Sequence, residues 1–267
     1  MIKVGFIGTG NMGGALAAAA GKNPEVQLLL ANRHPEKAKA LADKIGAGIL
    51  VTNEAAAEEA DILFLGVKPQ MLGELAPQIK DTLQKRDGDF LLVSMLAGTA
   101  MEKLLSALEI ECPVIRIMPN IPVSVGEGLI LYAANALVSP EQKATFLSVM
   151  AAAGRLSETE ERLIDAGSAV SGCGPAFAAL FIEALADGGV RCGLKRAAAL
   201  ELAAQTLLGS AKLMQETGRH PEEIKDAVCS PGGTTIAGVL KLEEMGFRSA
   251  SSGAVIAAYE RTLELKK

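Results

Sequence analysis

Residues 2–20 hold the pattern that most restricts what this chain can fold into. A short apolar run, Ile2-Lys3-Val4-Gly5-Phe6-Ile7, leads directly into Gly8-Thr9-Gly10-Asn11-Met12-Gly13 and then into an alanine-rich helical stretch. A strand that turns through G-x-G-x-x-G into a helix is the start of a βαβ unit, so the sheet it begins is parallel and covered on both faces. The glycines have separate duties. Gly8 makes the tight turn, Gly10 lets a pyrophosphate approach the backbone, and Gly13 lets the helix pack on its strand. The helix start adds a positive dipole end and open N–H groups. A dinucleotide is the expected ligand, held by Ile7, Gly8, Thr9, Gly10, Asn11, Met12 and Gly13.

An NAD-binding fold carries an acidic residue at the end of its second strand, where it takes the ribose hydroxyls. Here that strand ends in Leu30-Ala31-Asn32-Arg33-His34, without an acid. Asn32 can bond a ribose or phosphate oxygen, and Arg33 offers a fork of donors to a 2′-phosphate, which favours NADP and leaves NAD as the second option. Plain surface charge is the other reading of Arg33. Val67-Lys68-Pro69 and Ser94-Met95-Leu96-Ala97-Gly98 follow two later strands, and open sheets bind ligands at the carboxyl ends of strands. Val67, Lys68, Pro69 and Ala97 therefore join the cofactor-facing set, with Pro69 marking a helix start. Asn53, after the third strand, is either an N-cap or an adenosine-side contact.

Up to about residue 157, short apolar runs alternate with helical patterns. The strand candidates are Ile2–Ile7, Gln27–Ala31, Gly48–Val51, Ile62–Val67, Phe90–Ser94 and Val114–Met118, with Leu129–Tyr132 as an edge. Thr99 with Glu102, and Ser139 with Gln142, have capping-box spacing. Beyond about Glu160 only helical periodicity continues, broken at Gly193, Gly218, Gly232-Gly233 and Gly246. The expected fold class is α/β. A Rossmann-type, doubly wound, mostly parallel sheet spans residues 1–158, and an all-α domain spans residues 159–267. The helices of that second domain are alanine-rich and several are apolar over more than one face, which points to a subunit interface.

The formal charge of −5 comes without a lysine or arginine block, so neither nucleic acid nor an anionic membrane is an expected partner. Cys112, Cys173, Cys192 and Cys229 show no metal-ligand spacing, and the two histidines, His34 and His220, stand apart. No metal is expected, and the thiols read as reduced and mostly buried. The apolar start of the chain is broken by Gly8, Gly10, Gly13 and Gly14, which argues against a signal peptide. Ala166–Ile182 contains Gly172, Gly174 and Pro175 and reads as a buried helix pair. A cytoplasmic location is the resulting expectation.

A second glycine turn, Ser230-Pro231-Gly232-Gly233-Thr234-Thr235, opens another helix far along the chain. Pro231 fixes its own φ, the glycines admit close approach, and the threonines add hydroxyl donors. It contains no cation, which suits a small carboxylate better than a phosphate. An ordinary capped helix start is the alternative.

Three segments resemble signatures of the pyrroline-5-carboxylate reductases. They are Arg116-Ile117-Met118-Pro119-Asn120-Ile121-Pro122, Ser171-Gly172-Cys173-Gly174-Pro175-Ala176-Phe177, and Asp226 through the Ser230 turn to Ala237. With the Gly8 turn and Val67-Lys68-Pro69, the resemblance runs over essentially the whole chain. It implies NAD(P)H-dependent reduction of 1-pyrroline-5-carboxylate to L-proline, the last step of proline synthesis, by hydride transfer to the imine carbon. The resemblance puts the substrate carboxylate on Ser230, Gly232, Gly233 and Thr234, and the ring nitrogen on the hydroxyl of Thr235. It adds Asn120 to the substrate site. It also implies a homodimer through the helical domain, which the family often assembles into a decamer. Cys173 stands where the family usually has serine, and Ile121 where it usually has threonine, so no polar role passes to either.

Two rival readings remain at the level of sequence. The β-hydroxyacid dehydrogenases carry a catalytic lysine on a helix after a glycine-rich segment, but no lysine lies between Lys143 and Lys195. The other rival is an NADP-binding sensor without turnover, which an assay of NADPH consumption separates from an enzyme.

Overall fold

The computed structural model describes residues 1–86 and 90–265. Contacts divide the chain into one unit of Met1–Gly172 with Tyr259–Lys267, and another of Cys173–Ala258.

In the first unit the elements run β1 (Ile2–Ile7), α1 (Asn11–Ala20), β2 (Val26–Ala31), α2 (Pro35–Ile45), β3 (Ile49–Leu50), α3 (Asn53–Glu59) and β4 (Ile62–Leu65). They continue with α4 (Leu72–Gln84), β5 (Leu91–Ser94), α5 (Met101–Leu108), β6 (Val114–Pro119), β7 (Gly128–Ala134), α6 (Pro140–Met150), β8 (Gly154–Glu158) and α7 (Ile164–Ser171). The described strands form one sheet in the order β3-β2-β1-β4-β5-β6-β7-β8. Strands β1 to β6 are parallel, β7 is antiparallel to β6, and β8 runs parallel to β7. The order reverses between β1 and β4, and the carboxyl ends of those two strands make the crevice where sheets of this kind bind ligands.

Continuous apolar strands are what a sheet covered on both faces requires, because alternate side chains enter opposite layers. Phe6, Phe64 and Val93 enter the layer that packs on Leu16 of α1 and Phe146 of α6. Ile7, Leu63, Leu65 and Leu92 enter the other, against Ala56 of α3, Ile79 of α4 and Leu104 of α5. Phe6 and Phe64 stack with ring centroids 4.5 Å apart. Each fully buried side chain of this size contributes about 1.5–3 kcal/mol.

Two of three local expectations change. Leu129–Tyr132 is not the edge of the sheet, because β8 adds one more strand beyond it; Gly154–Glu158 is short and polar, so its apolar signal is little more than Leu156. The Ser139–Gln142 capping box forms with both of its bonds. The Thr99–Glu102 box does not: α5 starts after Ala100 without a side-chain cap, and Thr99 is buried one residue too early. Its first N–H, that of Met101, donates instead to Glu161 Oε1 at 2.7 Å.

That carboxylate belongs to a buried charge cluster. Arg116 on β6, only 2% exposed, donates to Glu161 Oε1 at 3.3 Å and to Asp165 Oδ1 at 3.1 Å. Removing one partner of such a buried pair costs about 3–5 kcal/mol, so the cluster fixes α5 and the first turn of α7 to β6. Farther along α7, a Cβ placed on Gly167 would lie 2.5 Å from Leu131 Cδ1, so the helix packs closely on β7.

The second unit is helical: α8 (Gly174–Arg191), α9 (Arg196–Thr217), α10 (Pro221–Val228), α11 (Thr234–Glu244) and α12 (Phe247–Glu264), whose last turns from Tyr259 group with the first unit. Helices α8 and α9 pair through Ala186, Ala199 and Ala203. The expected buried helix pair is corrected here. Residues 164–171 and 174–191 are helices, but Ala186 is the single buried residue of α8, and Leu180 is 68% exposed. By length and composition the stretch Glu161–Arg191 is apolar enough to cross a membrane, with 11% of its most apolar window buried. The thiols also depart from expectation: all four are free, yet only Cys112 is buried, and burial pushes its thiol up to about 12.

Candidate functional site

The Gly8 turn lies at the crevice between β1 and β4, and its three glycines are separable by what a side chain would meet. At Gly8 a Cβ would lie 2.7 Å from the carbonyl of Gly66, and φ is +99°. At Gly13 it would lie 2.1 Å from the carbonyl oxygen of Gly8. At Gly10 it would meet nothing within 4 Å. The first two glycines are thus required by the protein's own packing. Gly10 leaves open space beside the start of α1, where no side chain caps the helix and no acid occupies the first turn. This is the shape and polarity that a pyrophosphate needs.

A cleft of about 560 Å³ runs from this turn along the ends of β2 and β4. It is lined by Ile7, Gly8, Gly10, Asn32, Arg33, Asn53, Val67 and Lys68 from the sequence-based set. Thr9 is buried, and its Oγ1 accepts from Asn32 Nδ2 at 2.8 Å. Asn32 Oδ1 accepts the His34 N–H at 3.0 Å, so Asn32 orders the β2 end as well as facing the cleft. Asn53 is not the N-cap of α3. Thr52 is, with its Oγ1 accepting from Ala55 N–H at 3.2 Å, and Asn53 donates to Gln78 Oε1 at 2.8 Å. Pro69 opens a 3-10 turn, Pro69–Met71, as its ring geometry favours. Asn11 and Met12 begin α1 and, like Pro69 and Ala97, do not line this cleft; Ala97 is exposed in the turn after β5.

Sequence reasoning missed several liners. Gly66 is as necessary as Gly8, since its Cβ would lie 2.6 Å from the Gly8 carbonyl oxygen, and its place at the end of β4 was the available signal. Lys37 and Glu74 also face the cleft. Glu74, in the first turn of α4, pairs with Arg33 Nη1 at 3.3 Å, and nothing in its local pattern announces that contact.

In the second unit, Ser230 to Gly233 forms a tight turn closed by the Gly233 N–H on the Ser230 carbonyl at 3.0 Å. Pro231 and Gly232, the latter with φ +67°, fill the two central positions of a type II turn. A Cβ on Gly233 would lie 2.3 Å from Ser230 Oγ. Helix α11 follows with Gly233 as an uncapped N-cap and no acid in its first turn. Its opening N–H groups, beginning with Thr234 and Thr235, have no partner within the helix. Among the described residues neither threonine hydroxyl is hydrogen-bonded, and Thr235 is half-buried whereas Thr234 is exposed. Arg248 braces this arrangement by donating to Glu222 on α10 at 2.8 Å and to Glu243 on α11 at 2.7 Å. Lys225 and Arg248 together hold the Glu222 carboxyl down to about 2.

Asn120 belongs to the first unit, and both ends of its amide are engaged there. Nδ2 donates to the Ser171 carbonyl at 3.0 Å, and Oδ1 accepts the Leu129 N–H at 2.8 Å. It ties the end of α7 to β7. Among the described residues no group of three or more His, Cys, Asp or Glu has metal-binding geometry.

Known proteins resemble this chain over its full length. A family profile described as pyrroline-5-carboxylate reductase dimerisation matches residues 161–265, and one described as NADP oxidoreductase coenzyme F420-dependent matches residues 3–98. A pyrroline-5-carboxylate reductase from Synechocystis is 43% identical, covering 100% of this chain and 99% of its own. The structure of a pyrroline-5-carboxylate reductase from Coxiella burnetii superposes with a TM-score of 0.90 at 31% identity, covering 99% of this chain and 98% of its own. A Plasmodium falciparum pyrroline carboxylate reductase, solved with NADP bound, gives 0.86 at 32% identity, covering 100% and 98%.

The glycine geometry separates binding from folding. Gly10→Ala keeps the melting temperature and weakens dinucleotide binding by roughly tenfold or more, since only a bound phosphate meets the new methyl. Gly13→Ala destabilises the protein by about 1–3 kcal/mol through overpacking, whether or not ligand is present. Calorimetric titration beside thermal melts distinguishes the two. Equal behaviour of both variants contradicts the assignment.

Proposed function

Because this chain belongs to the pyrroline-5-carboxylate reductase family, we propose that its two glycine turns divide the work of an imine reductase, one holding the dinucleotide and the other the substrate. The chain is an NADP(H)-dependent oxidoreductase that reduces 1-pyrroline-5-carboxylate to L-proline in proline biosynthesis. The Gly8 turn fits NADP(H): open space at Gly10, uncapped amides at α1, and Arg33 with Lys37 for a 2′-phosphate. Bound there, NADPH supplies the hydride that the imine carbon takes up.

The observation that carries the substrate reading is the α11 start. Its unpartnered amides and absent acid suit a carboxylate, and a Cβ at Gly232 in the turn before it would meet nothing within 4 Å. The amides of Thr234 and Thr235 hold the carboxylate, and Ser230 and Gly232 shape the approach. The Gly233 N–H is spent on closing the turn, so the part of Gly233 is to keep that turn tight. The Thr235 hydroxyl bonds the ring nitrogen, which becomes basic as the C=N bond is reduced and takes its proton from solvent. No strong side-chain acid is needed, and the chain's contribution is positioning and preorganised dipoles.

The helical unit supports a homodimer. Among its described residues only Ala186, Ala199 and Ala203 are buried, while Leu202, Leu208 and Ile256 are each more than half exposed. A unit with so little core requires a second surface to fold against. A second copy of this chain supplies it, since the dimerisation profile covers residues 161–265, including the apolar stretch at Glu161–Arg191. Assembly of dimers into a decamer is the further extension of this reading.

Thr235→Val is expected to lower kcat by roughly ten- to a thousandfold while NADPH affinity stays near wild type. An unchanged rate in a stopped assay of NADPH oxidation with 1-pyrroline-5-carboxylate removes Thr235 from the mechanism. Light scattering should give the mass of a dimer or a multiple of it down to nanomolar concentration. A stable monomer contradicts the interface.

A further inference from the structure

Strand β2 ends without the acid that takes ribose hydroxyls in an NAD site, yet the cleft is not without a carboxylate. Glu74 reaches it from α4 and pairs with Arg33, the residue that follows the strand. Among the described lining residues it is the sole carboxylate, against the cations Arg33, Lys37 and Lys68. The neutral polar groups nearby are already engaged. Asn32 is held by Thr9 and the His34 N–H, and Asn53 and Gln78 are bonded to each other, with Gln78 Nε2 also on the Glu74 carbonyl. At the β2 end, where the ribose acid of an NAD site would stand, the acceptor present is the carboxylate of the Arg33–Glu74 pair.

We propose that the Arg33–Glu74 pair is a two-way selector that lets this site take either NADPH or NADH, with Glu74 the residue that admits NADH. The inference rests on the cofactor reading above and deepens it. Both side chains are about two-thirds exposed, so their mutual attraction is weak and the pair opens at little cost. A 2′-phosphate draws Arg33 away, because a bidentate guanidinium–phosphate contact is the stronger charge-assisted bond. The Glu74 carboxylate then stands beside a dianion and opposes it. With NADH there is no phosphate, and the same carboxylate accepts the 2′-hydroxyl, as an acid at the end of β2 does in an NAD site. Glu74 thus favours one dinucleotide and penalises the other, whereas Arg33 does the reverse.

The test is calorimetric titration of NADPH and of NADH into the wild-type protein, Glu74→Gln and Arg33→Ala, with thermal melts to show that the exposed substitutions leave the fold intact. Glu74→Gln should weaken NADH binding roughly two- to tenfold and leave NADPH binding equal or tighter. Arg33→Ala should weaken NADPH more than NADH. If Glu74→Gln changes both affinities by the same factor, or neither, the selector is overturned while the cofactor reading stands. If the wild-type protein binds neither dinucleotide, both fall together.

Discussion

The crevice of this protein depends on a backbone contact that only glycine permits. At the end of β1 the chain must leave the sheet, pass against the Gly66 carbonyl at the end of β4, and enter α1 over its own Gly8 carbonyl oxygen. A methyl group at Gly8, Gly13 or Gly66 would fall within 3 Å of backbone, and backbone has no rotamer with which to yield. The approach sets how closely α1 lies on the sheet and aims its uncapped start at the crevice. Everything the first unit offers a dinucleotide follows from that placement.

The second turn reaches a similar result by other means. Its left-handed residue is Gly232, the turn closes on its own carbonyl, and α11 begins with its amides open. The first turn is held rigid by a buried sheet, whereas the second is braced by the Glu222–Arg248–Glu243 bridge on the surface of the helical unit. Exposed pairs of this kind contribute on the order of 0–1 kcal/mol each. If a second copy covers the exposed apolar helices as proposed, the geometry of the Ser230 turn leans on that covering, and substrate binding at the turn is coupled to assembly.

Much of the fold was legible because it follows from local rules. β-Branched and leucine-rich runs became strands within a residue or two, the Ser139 cap formed as spaced, and Pro69 opened its turn. The misreadings share a cause, which is that the deciding partner was remote. Glu161 caps α5 from 60 residues away, so Thr99 was left without the task its spacing assigned. Strand β8 exists because β7 offers an edge, and its own residues say little. The sequence marked the second-domain helices as apolar over more than one face, but it did not show that Ala166–Ile182 is largely half-buried or exposed and not a buried pair, because alanine and leucine look the same whether they face a core or a surface. In the site, the glycine turns carried their meaning in sequence order. Glu74 did not, since the carboxylate that meets Arg33 comes from α4, far along the chain, and not from the end of β2 where the pattern would place an acid.

The claim on which the rest turns is that the start of α11 is the carboxylate clamp and Thr235 the partner of the reacting nitrogen. A crystal structure of the enzyme with NADP⁺ and L-proline tests it most directly. The account predicts the proline carboxylate on the amides of Thr234 and Thr235, with its ring nitrogen within hydrogen-bond distance of the Thr235 hydroxyl. Proline bound elsewhere, with the Ser230 turn free of ligand, contradicts it.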